Sequence, residues 1–369
     1  MKAISLFAGV GGFDLALTRN GAEVVASVEI DKHARKVLQK QFPNTTQLFA
    51  RKVNIMTAKI LVGDVRARLK DIETGSVQTC VTSPPYWGLR DYGNDGQIGL
   101  ETTVAEYVNN MVEVFREVKR TLRDDGTLWL NLGDSYASFR DGKAVPDTTR
   151  GDSLGTLVPK GLAKNRMATT FIGTNIKHKD LVGIPWRVAF ALQESGWYLR
   201  QDIIWAKPNP MPESVTDRCT KSHEYLFLLT KSAKYYFDNQ AIKEPTVSNV
   251  GNAKIRFGGN KYGDSDDPKH QTKSGNVWVP TETRNKRDVW TIAAKPFKGA
   301  HFAVMPEALV TPCVLAGSRG GDTVLDPFAG SGTVGVVALR EGRKFIGAEL
   351  NPEYAAMAVE RIGLGAEIG

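Results

Sequence analysis

Cysteine is scarce in this chain of 369 residues. Its three copies, Cys80, Cys219 and Cys313, are odd in number and widely scattered. They form neither a disulfide framework nor a metal-ligand spacing, so no metal site is expected. Long apolar runs are also missing; none approaches the roughly 20 residues that span a bilayer. The opening stretch, Met1 to Gly12, has one lysine and a short apolar run broken by glycines, unlike a secretory signal. These absences argue against a disulfide-stapled secreted scaffold and against a membrane protein. A reduced, cytoplasmic protein is expected.

Hydrophobic residues make up 41% of the chain, enough for a sizeable core. The length fits one large α/β domain with insertions or two smaller domains. Lysine and arginine number 48 against 40 acids, a net charge of +8. That balance suits a nucleic-acid partner without requiring one.

The chain is organised around Val81-Thr82-Ser83-Pro84-Pro85-Tyr86-Trp87. A strand signal over Thr79 to Thr82 runs into two prolines, which cannot continue a ladder and hold the backbone stiff. The carbonyl between the prolines has no neighbouring N–H to bond, and the aromatics beside it offer flat faces. A fixed acceptor next to a stacking surface suits the exocyclic amine of a nucleobase. The stretch resembles motif IV, the S/D/N-P-P-Y/F of DNA amino-methyltransferases, and its Thr-Ser-Pro-Pro-Tyr form looks most like the cytosine-N4 enzymes. The resemblance implies that Ser83, Pro84, Pro85 and Tyr86 are catalytic. Taken alone, the four residues also read as an ordinary Pro-Pro turn.

A second pattern closes the chain. Thr323 to Asp326 reads as a strand and Pro327-Phe328-Ala329-Gly330-Ser331-Gly332-Thr333 as a tight turn into a helix. Lys344 to Ala348 is the next strand, ending at Glu349, and Asn351-Pro352 caps a helix. Glycines let backbone approach a ligand, and Glu349 is placed to accept from two ribose hydroxyls. The block resembles motifs I and II of methyltransferases that use S-adenosylmethionine. Upstream, His301-Phe302-Ala303-Val304-Met305-Pro306 resembles motif X, which closes over the methionine moiety. Gly63-Asp64 fits motif III, although a helix N-cap is the other reading of Asp64. The resemblance implies an S-adenosylmethionine site built from Asp64, Phe302, Asp326, Phe328, Gly330, Ser331, Gly332, Thr333 and Glu349.

A catalytic motif that precedes the cofactor motif is the permuted order of the β group of these enzymes. The implied fold is Rossmann-like: an α/β class I methyltransferase with a mostly parallel seven-stranded sheet and helices on both faces. Between the motifs, Val104, Val108, Met111, Phe115, Val118 and Leu122 recur at helical spacing, ending at Asp125-Gly126. Strands are expected at Thr127 to Leu132, Tyr198 to Ala206, Glu224 to Thr230 and Lys234 to Phe237, with a helix from Pro185 to Gly196. The glycine-rich stretch 88–96 is a candidate lid or an ordered surface turn. Lys207 to Ser214, Asp217-Arg218 and His223-Glu224 resemble later motifs of the family, and His223 reads best as a satisfied structural histidine.

Two stretches, 137–178 and 239–288, read as loop-rich insertions in a catalytic domain over 51–369. The second carries Lys254, Arg256, Lys261, Arg284, Lys286 and Arg287 among Phe257, Tyr262 and Trp278. Basic residues interleaved with aromatics suit DNA contact, and family members hold their target-recognition region in this gap. A solvated excursion is the alternative.

Residues 1–50 read as an appended βαβα unit. Ile4 to Phe7 is a strand signal followed by Ala8-Gly9-Val10-Gly11-Gly12, and Val24 to Val28 is a second strand ending at Glu29. The layout suits a nucleotide-like cofactor. It resembles the first motifs of cytosine-C5 methyltransferases, but the Pro-Cys nucleophile of that family has no counterpart in context. The expected function is methylation of a base amine in double-stranded DNA, most readily cytosine N4, with a possible companion restriction endonuclease. Alternatives are an adenine-N6 enzyme, an inactive DNA-binding relic, and an RNA or protein amine methyltransferase.

Overall fold

A computed structural model describes residues 2–6, 23–29, 40, 46–49, 58–88, 93, 96–137, 175–246, 255–256, 277–278, 282–294, 304–363 and 366–368. The chain divides into two compact units, Met1–Met56 and Thr57–Gly369.

In the first unit, β1 (Lys2–Leu6), β2 (Glu23–Glu29) and β3 (Thr46–Phe49) form a parallel sheet in that order. β1 and β2 fall where the sequence shows its two strand signals, at Ile4 to Phe7 and Val24 to Val28, and the residues between them lie outside the described residues.

The second unit is built on nine strands, not the seven expected. They are β4 (Ala58–Val62), β5 (Val77–Thr82), β6 (Leu122–Leu132), β7 (Tyr198–Ala206), β8 (His223–Thr230), β13 (Val289–Thr291), β14 (Thr323–Asp326), β15 (Lys344–Glu349) and β16 (Ala366–Ile368). Their order is β13-β7-β8-β6-β5-β14-β15-β4-β16. The two additional strands, β13 and β16, are three residues each and add to the two edges in parallel. Such short edges carry too few residues to show a periodic pattern. Only β8 runs antiparallel to its neighbours. Two further antiparallel pairs nest within the second insertion: β9 (Glu244–Pro245) with β12 (Thr283–Arg284), and β10 (Ile255–Arg256) with β11 (Val277–Trp278).

Both faces of the sheet are covered, so its strands read as nearly unbroken apolar runs. Alternation still decides which core each residue joins. On β6, Leu128 and Leu130 face one core and Trp129 the other; on β8, Phe227 and Leu229 oppose Leu226 and Leu228. The first core takes α2 (Val104–Thr121), through Tyr107, Met111, Phe115 and Val118, and α3 (Ile184–Glu194) packed beside it. It also takes the single turn α1 (Val65–Arg68). The second takes α4 (Glu307–Gly317), α5 (Thr333–Arg340) and α6 (Pro352–Ile362).

α2 stops at Thr121, earlier than the expected Asp125-Gly126, because those residues bulge into the start of β6. No strand forms at Lys234 to Phe237. Its aromatics instead close the rim: the Tyr236 N–H donates to the Asp125 carbonyl at 2.9 Å, and Arg319 lies 3.8 Å over the Tyr236 ring. α4 is an element the sequence pattern concealed. It holds Pro312 in its interior and is buried on most of its surface, so it shows neither an uninterrupted helical signal nor one apolar stripe. Among the described residues, no helix is long and apolar enough to cross a membrane, and no cluster of His, Cys, Asp or Glu could hold a metal ion.

The connection from β5 through α2 leads one way along the sheet, and that from β14 through α5 leads the other. The carboxyl ends of β5 and β14 therefore flank a topological switch point, where open α/β sheets leave a crevice.

Candidate active site

A cavity of about 440 Å³ opens at that point. Ser83, Pro84, Pro85 and Tyr86 line one side; Phe328, Gly330, Ser331 and Glu349 line the other. The two strand ends are tied directly, since Thr82 Oγ1 donates to Asp326 Oδ1 at 2.6 Å.

On the first side, Pro-Pro stops β5 and a hydrogen bond fixes the loop beyond it: Tyr107 Oη donates to the Pro85 carbonyl at 3.0 Å. Tyr86 Oη donates to Glu224 Oε2 at 2.6 Å and lies 3.3 Å from Asn131 Oδ1. Ser83 Oγ donates in turn to Tyr86 Oη at 3.4 Å. Glu224 also takes Asn131 Nδ2 at 3.2 Å and the ammonium of Lys207, which sits 4.3 Å over the Trp205 ring. Burial, then the negative charge of Glu224, pushes the Tyr86 phenol well above its usual range. Gly133 makes room for the ring, because a Cβ there would stand 2.6 Å from Tyr86 Cε2. Asn131 belongs to this site although no sequence motif singled it out, and Lys207 and Glu224, which lie in stretches that resemble later motifs of the family, were not assigned to it. The polar pairing inside apolar strands β6 and β8 is the signal that could have found them.

On the second side, Gly330 has φ +50° and Gly332 φ +76°, left-handed turns that glycine adopts without strain. The Gly330 N–H donates to Glu349 Oε2 at 2.8 Å and the Asn351 N–H to Glu349 Oε1 at 2.9 Å. A carboxylate offers roughly four acceptor positions, so its backbone bonds do not saturate it. Burial raises the Glu349 carboxyl above its ordinary value, against the backbone hydrogen bonds from Asn351, Gly330 and Leu350. Asp326 lies beneath the turn, only 2% exposed, and also accepts the Phe328 N–H at 3.0 Å. Burial pushes it up to about 7.

Several expected cofactor residues have side-chain contacts within the protein. Ser331 Oγ and Thr333 Oγ1 both line the cavity and accept from Arg361, at 3.0 and 2.8 Å, which steadies the turn. Gly332 packs on α6, where a Cβ would meet Ala358 Cβ at 3.0 Å. Asp64 lines the cavity and is also the N-cap of α1, accepting the Arg66 N–H at 2.8 Å. The hydrogen bond from the Arg66 side chain holds its carboxyl below the usual range. His223 opens β8 and meets Tyr225 edge-on at 5.3 Å. Phe302, Lys254 and Lys261 lie outside the described residues, and Arg256 is described only as backbone in β10. Arg284 and Arg287 both pair with Glu244, at 2.9 and 2.7 Å, and Lys286 lies 4.8 Å over the Trp290 ring. Cys80 and Cys313 are buried, and burial pushes both thiols up.

Comparison with known proteins places this geometry. The residue pattern of the N6/N4 DNA methylase family matches residues 77–360. The chain belongs to that family. It is also 49% identical over 313 residues to the type II methyltransferase M.SmaI of Serratia marcescens, covering 84% of this chain and 92% of the relative. Two solved structures share its fold. The cytosine-N4-specific PvuII DNA methyltransferase has a TM-score of 0.52 at 19% identity, over 82% of this chain and 86% of its own. A Thermus thermophilus protein complexed with S-adenosyl-L-methionine has a TM-score of 0.50 at 23% identity, over 85% and 99%. Residues 1–65 match the C-5 cytosine-specific DNA methylase family as well. The enzyme is thus a DNA methyltransferase of the amino class. Its family draws the methyl group from S-adenosylmethionine, and the site fits that cofactor: a positive-φ glycine turn over which backbone can approach, and a buried carboxylate with acceptor positions to spare.

Proposed function

We propose that the enzyme methylates N4 of a cytosine flipped out of double-stranded DNA. The observation that carries the reading is the meeting of the Ser83-Pro84-Pro85 loop and the Gly330 turn in one cavity. The serine form of the loop supports cytosine over adenine. Glu349 holds the ribose hydroxyls of the cofactor, Asp64 and Phe328 flank it, and Phe302 closes over its methionine end.

When bound, S-adenosylmethionine supplies an electrophilic methyl group. The amine it must meet is a poor nucleophile, because its lone pair is delocalised into the ring. Ser83 Oγ and the Pro84 carbonyl accept the two amine hydrogens and draw nitrogen toward a tetrahedral shape, which frees the lone pair. The same fixed acceptors stabilise the positive charge that develops on nitrogen. The proton nitrogen must then shed has a route. Ser83 Oγ takes it while passing its own proton to Tyr86 Oη, and Tyr86 passes its proton to Glu224. Lys207 stands beside Glu224 and balances its charge. Flipping the base costs roughly a few kcal/mol; stacking on Tyr86 returns roughly 1–3 kcal/mol.

The pairing of Arg284 and Arg287 with Glu244 fits the root of the basic insertion, so phosphate contact falls first to Lys254, Arg256, Lys261 and Lys286. The type II name of the relative M.SmaI fits a companion restriction endonuclease. The test is to incubate the enzyme, DNA and methyl-labelled donor, and resolve the nucleosides by mass spectrometry. N4-methylcytosine is expected. N6-methyladenine would move the assignment to adenine, and label confined to RNA or protein would end the DNA reading.

A further inference from the structure

The connection from β7 to β8 holds a side chain that the chemistry above does not use. It leaves Ala206 as Lys207-Pro208-Asn209-Pro210-Met211-Pro212. Prolines at alternate positions fix φ three times and bias the residues between them to extended backbone, so the segment is stiff. It is also pinned at both sides. Asn209 Nδ2 donates to the Ala294 carbonyl and the Ala294 N–H donates back to Asn209 Oδ1, each at 3.0 Å. Glu213 accepts Arg218 at 2.6 Å and the Lys221 N–H at 3.1 Å, and Arg218 lies 3.9 Å over the Tyr136 ring.

Between the pins stands Met211. It is 66% exposed, more than any other large hydrophobic residue among those described, yet it lines the same cavity as Ser83, Tyr86 and Glu224. Held out in water, it contributes little apolar burial to folding. An apolar side chain that protrudes from a stiff segment beside a base pocket has the make-up of the wedges that enter between base steps of a duplex. We infer that Met211 is such a wedge: it occupies the gap in the base stack that the flipped target leaves and so keeps the base from returning. The partner is the stacked step flanking the target base. This rests on the DNA methyltransferase reading above and gives Met211 a positioning role, with no atom transferred to or from it.

The experiment uses the full chain and a duplex carrying a sequence that the wild type methylates, found by sequencing methylated DNA from cells that express it. A second duplex is identical except that the nucleotide opposite the target lacks its base, so the target is already unpaired. Met211→Ala lowers kcat/KM on the paired duplex by about tenfold but on the unpaired one by less than about twofold, and Met211→Leu stays within about twofold of wild type on both. Cofactor binding by calorimetry at the wild-type level establishes that each variant is folded. An equal loss on both duplexes, or no loss on the paired one, overturns the wedge. Failure of the wild type to methylate any DNA overturns the methyltransferase reading itself, so the two failures are distinct.

Discussion

Ser5-Leu6-Phe7-Ala8-Gly9 and Asp326-Pro327-Phe328-Ala329-Gly330 begin two copies of one plan. In each a strand is followed in sequence by a glycine-rich stretch and then by a parallel strand that ends in glutamate, Glu29 on β2 and Glu349 on β15. The neighbours differ. β14 and β15 lie inside the nine-stranded sheet, and β14 pairs directly with β5, which delivers Ser83-Pro84-Pro85 to the same cavity. β1 and β2 belong to a three-stranded sheet in a separate unit. In the second unit the sheet sets a catalytic strand end beside such a turn.

The largest effect that could break this comparison comes from the catalytic loop. Ser83→Ala should lower kcat by about 10²–10³, in line with the loss of one preorganised polar contact, with cofactor affinity nearly unchanged. Near-wild-type turnover would show that transfer takes place elsewhere in the chain. Next come the two glutamates. Glu349→Ala removes a buried acceptor shared by the Gly330 and Asn351 amides and should weaken S-adenosylmethionine binding by about 100-fold or more. Glu29→Ala should leave it unchanged. Calorimetric titration decides, and two binding events in the wild type would show both turns in use.

Titration also separates the copies, because Ser5 stands where the second copy has Asp326. The folded Asp326 carboxyl is raised by burial to about 7 from 3.8. The folded state then holds the proton more tightly, so stability is fully present below pH 3.8 and falls as pH rises through about 7. The fall is of the order of a few kcal/mol. Asp326→Asn should flatten that slope in denaturant melts between pH 4 and 8, and an unchanged slope would assign it to another group. A smaller effect concerns DNA. Replacing Lys254 and Lys261 by glutamine should flatten the dependence of log affinity on log salt by about 0.9 for each phosphate that is no longer neutralised. The same change at Arg284 should cost folding stability instead, since its partner Glu244 is at hand. The smallest effect is expected from removing the first copy: a chain starting near residue 50 should keep kcat within about twofold, since every described residue that lines the cavity belongs to the second unit.

Much of the second unit was legible. β7 and β14 coincide with their apolar runs, and Asn351-Pro352 caps α6 as its residue types dictate. α4 was not, since a buried helix with an internal proline has no stripe to read. Nor did the glycines identify the enzyme. Gly330, Gly332 and Gly335 stand at the G-x-G-x-x-G spacing of dinucleotide-binding enzymes. Gly335 is there because a Cβ would come within 2.5 Å of Ile362 Cδ1 and 2.8 Å of Phe345, a packing need that any helix crossing its strand this closely shares. The Ser-Pro-Pro loop across the cavity separates the two readings.

By itself the amino-acid sequence determined the strand and turn types, the stiff acceptor loop at Ser83-Pro84-Pro85 and the glutamate-terminated strand at Glu349. These are local properties, set by φ restriction at proline, left-handed freedom at glycine and the period of apolar residues. Only the tertiary structure decided that the Gly330 turn adjoins the catalytic strand end, and which polar groups meet Tyr86. Asn131 comes from β6, Lys207 from the end of β7 and Glu224 from β8. Their convergence depends on strand order and register, and these follow from burying both faces of one sheet, a condition on the whole chain that no short stretch carries.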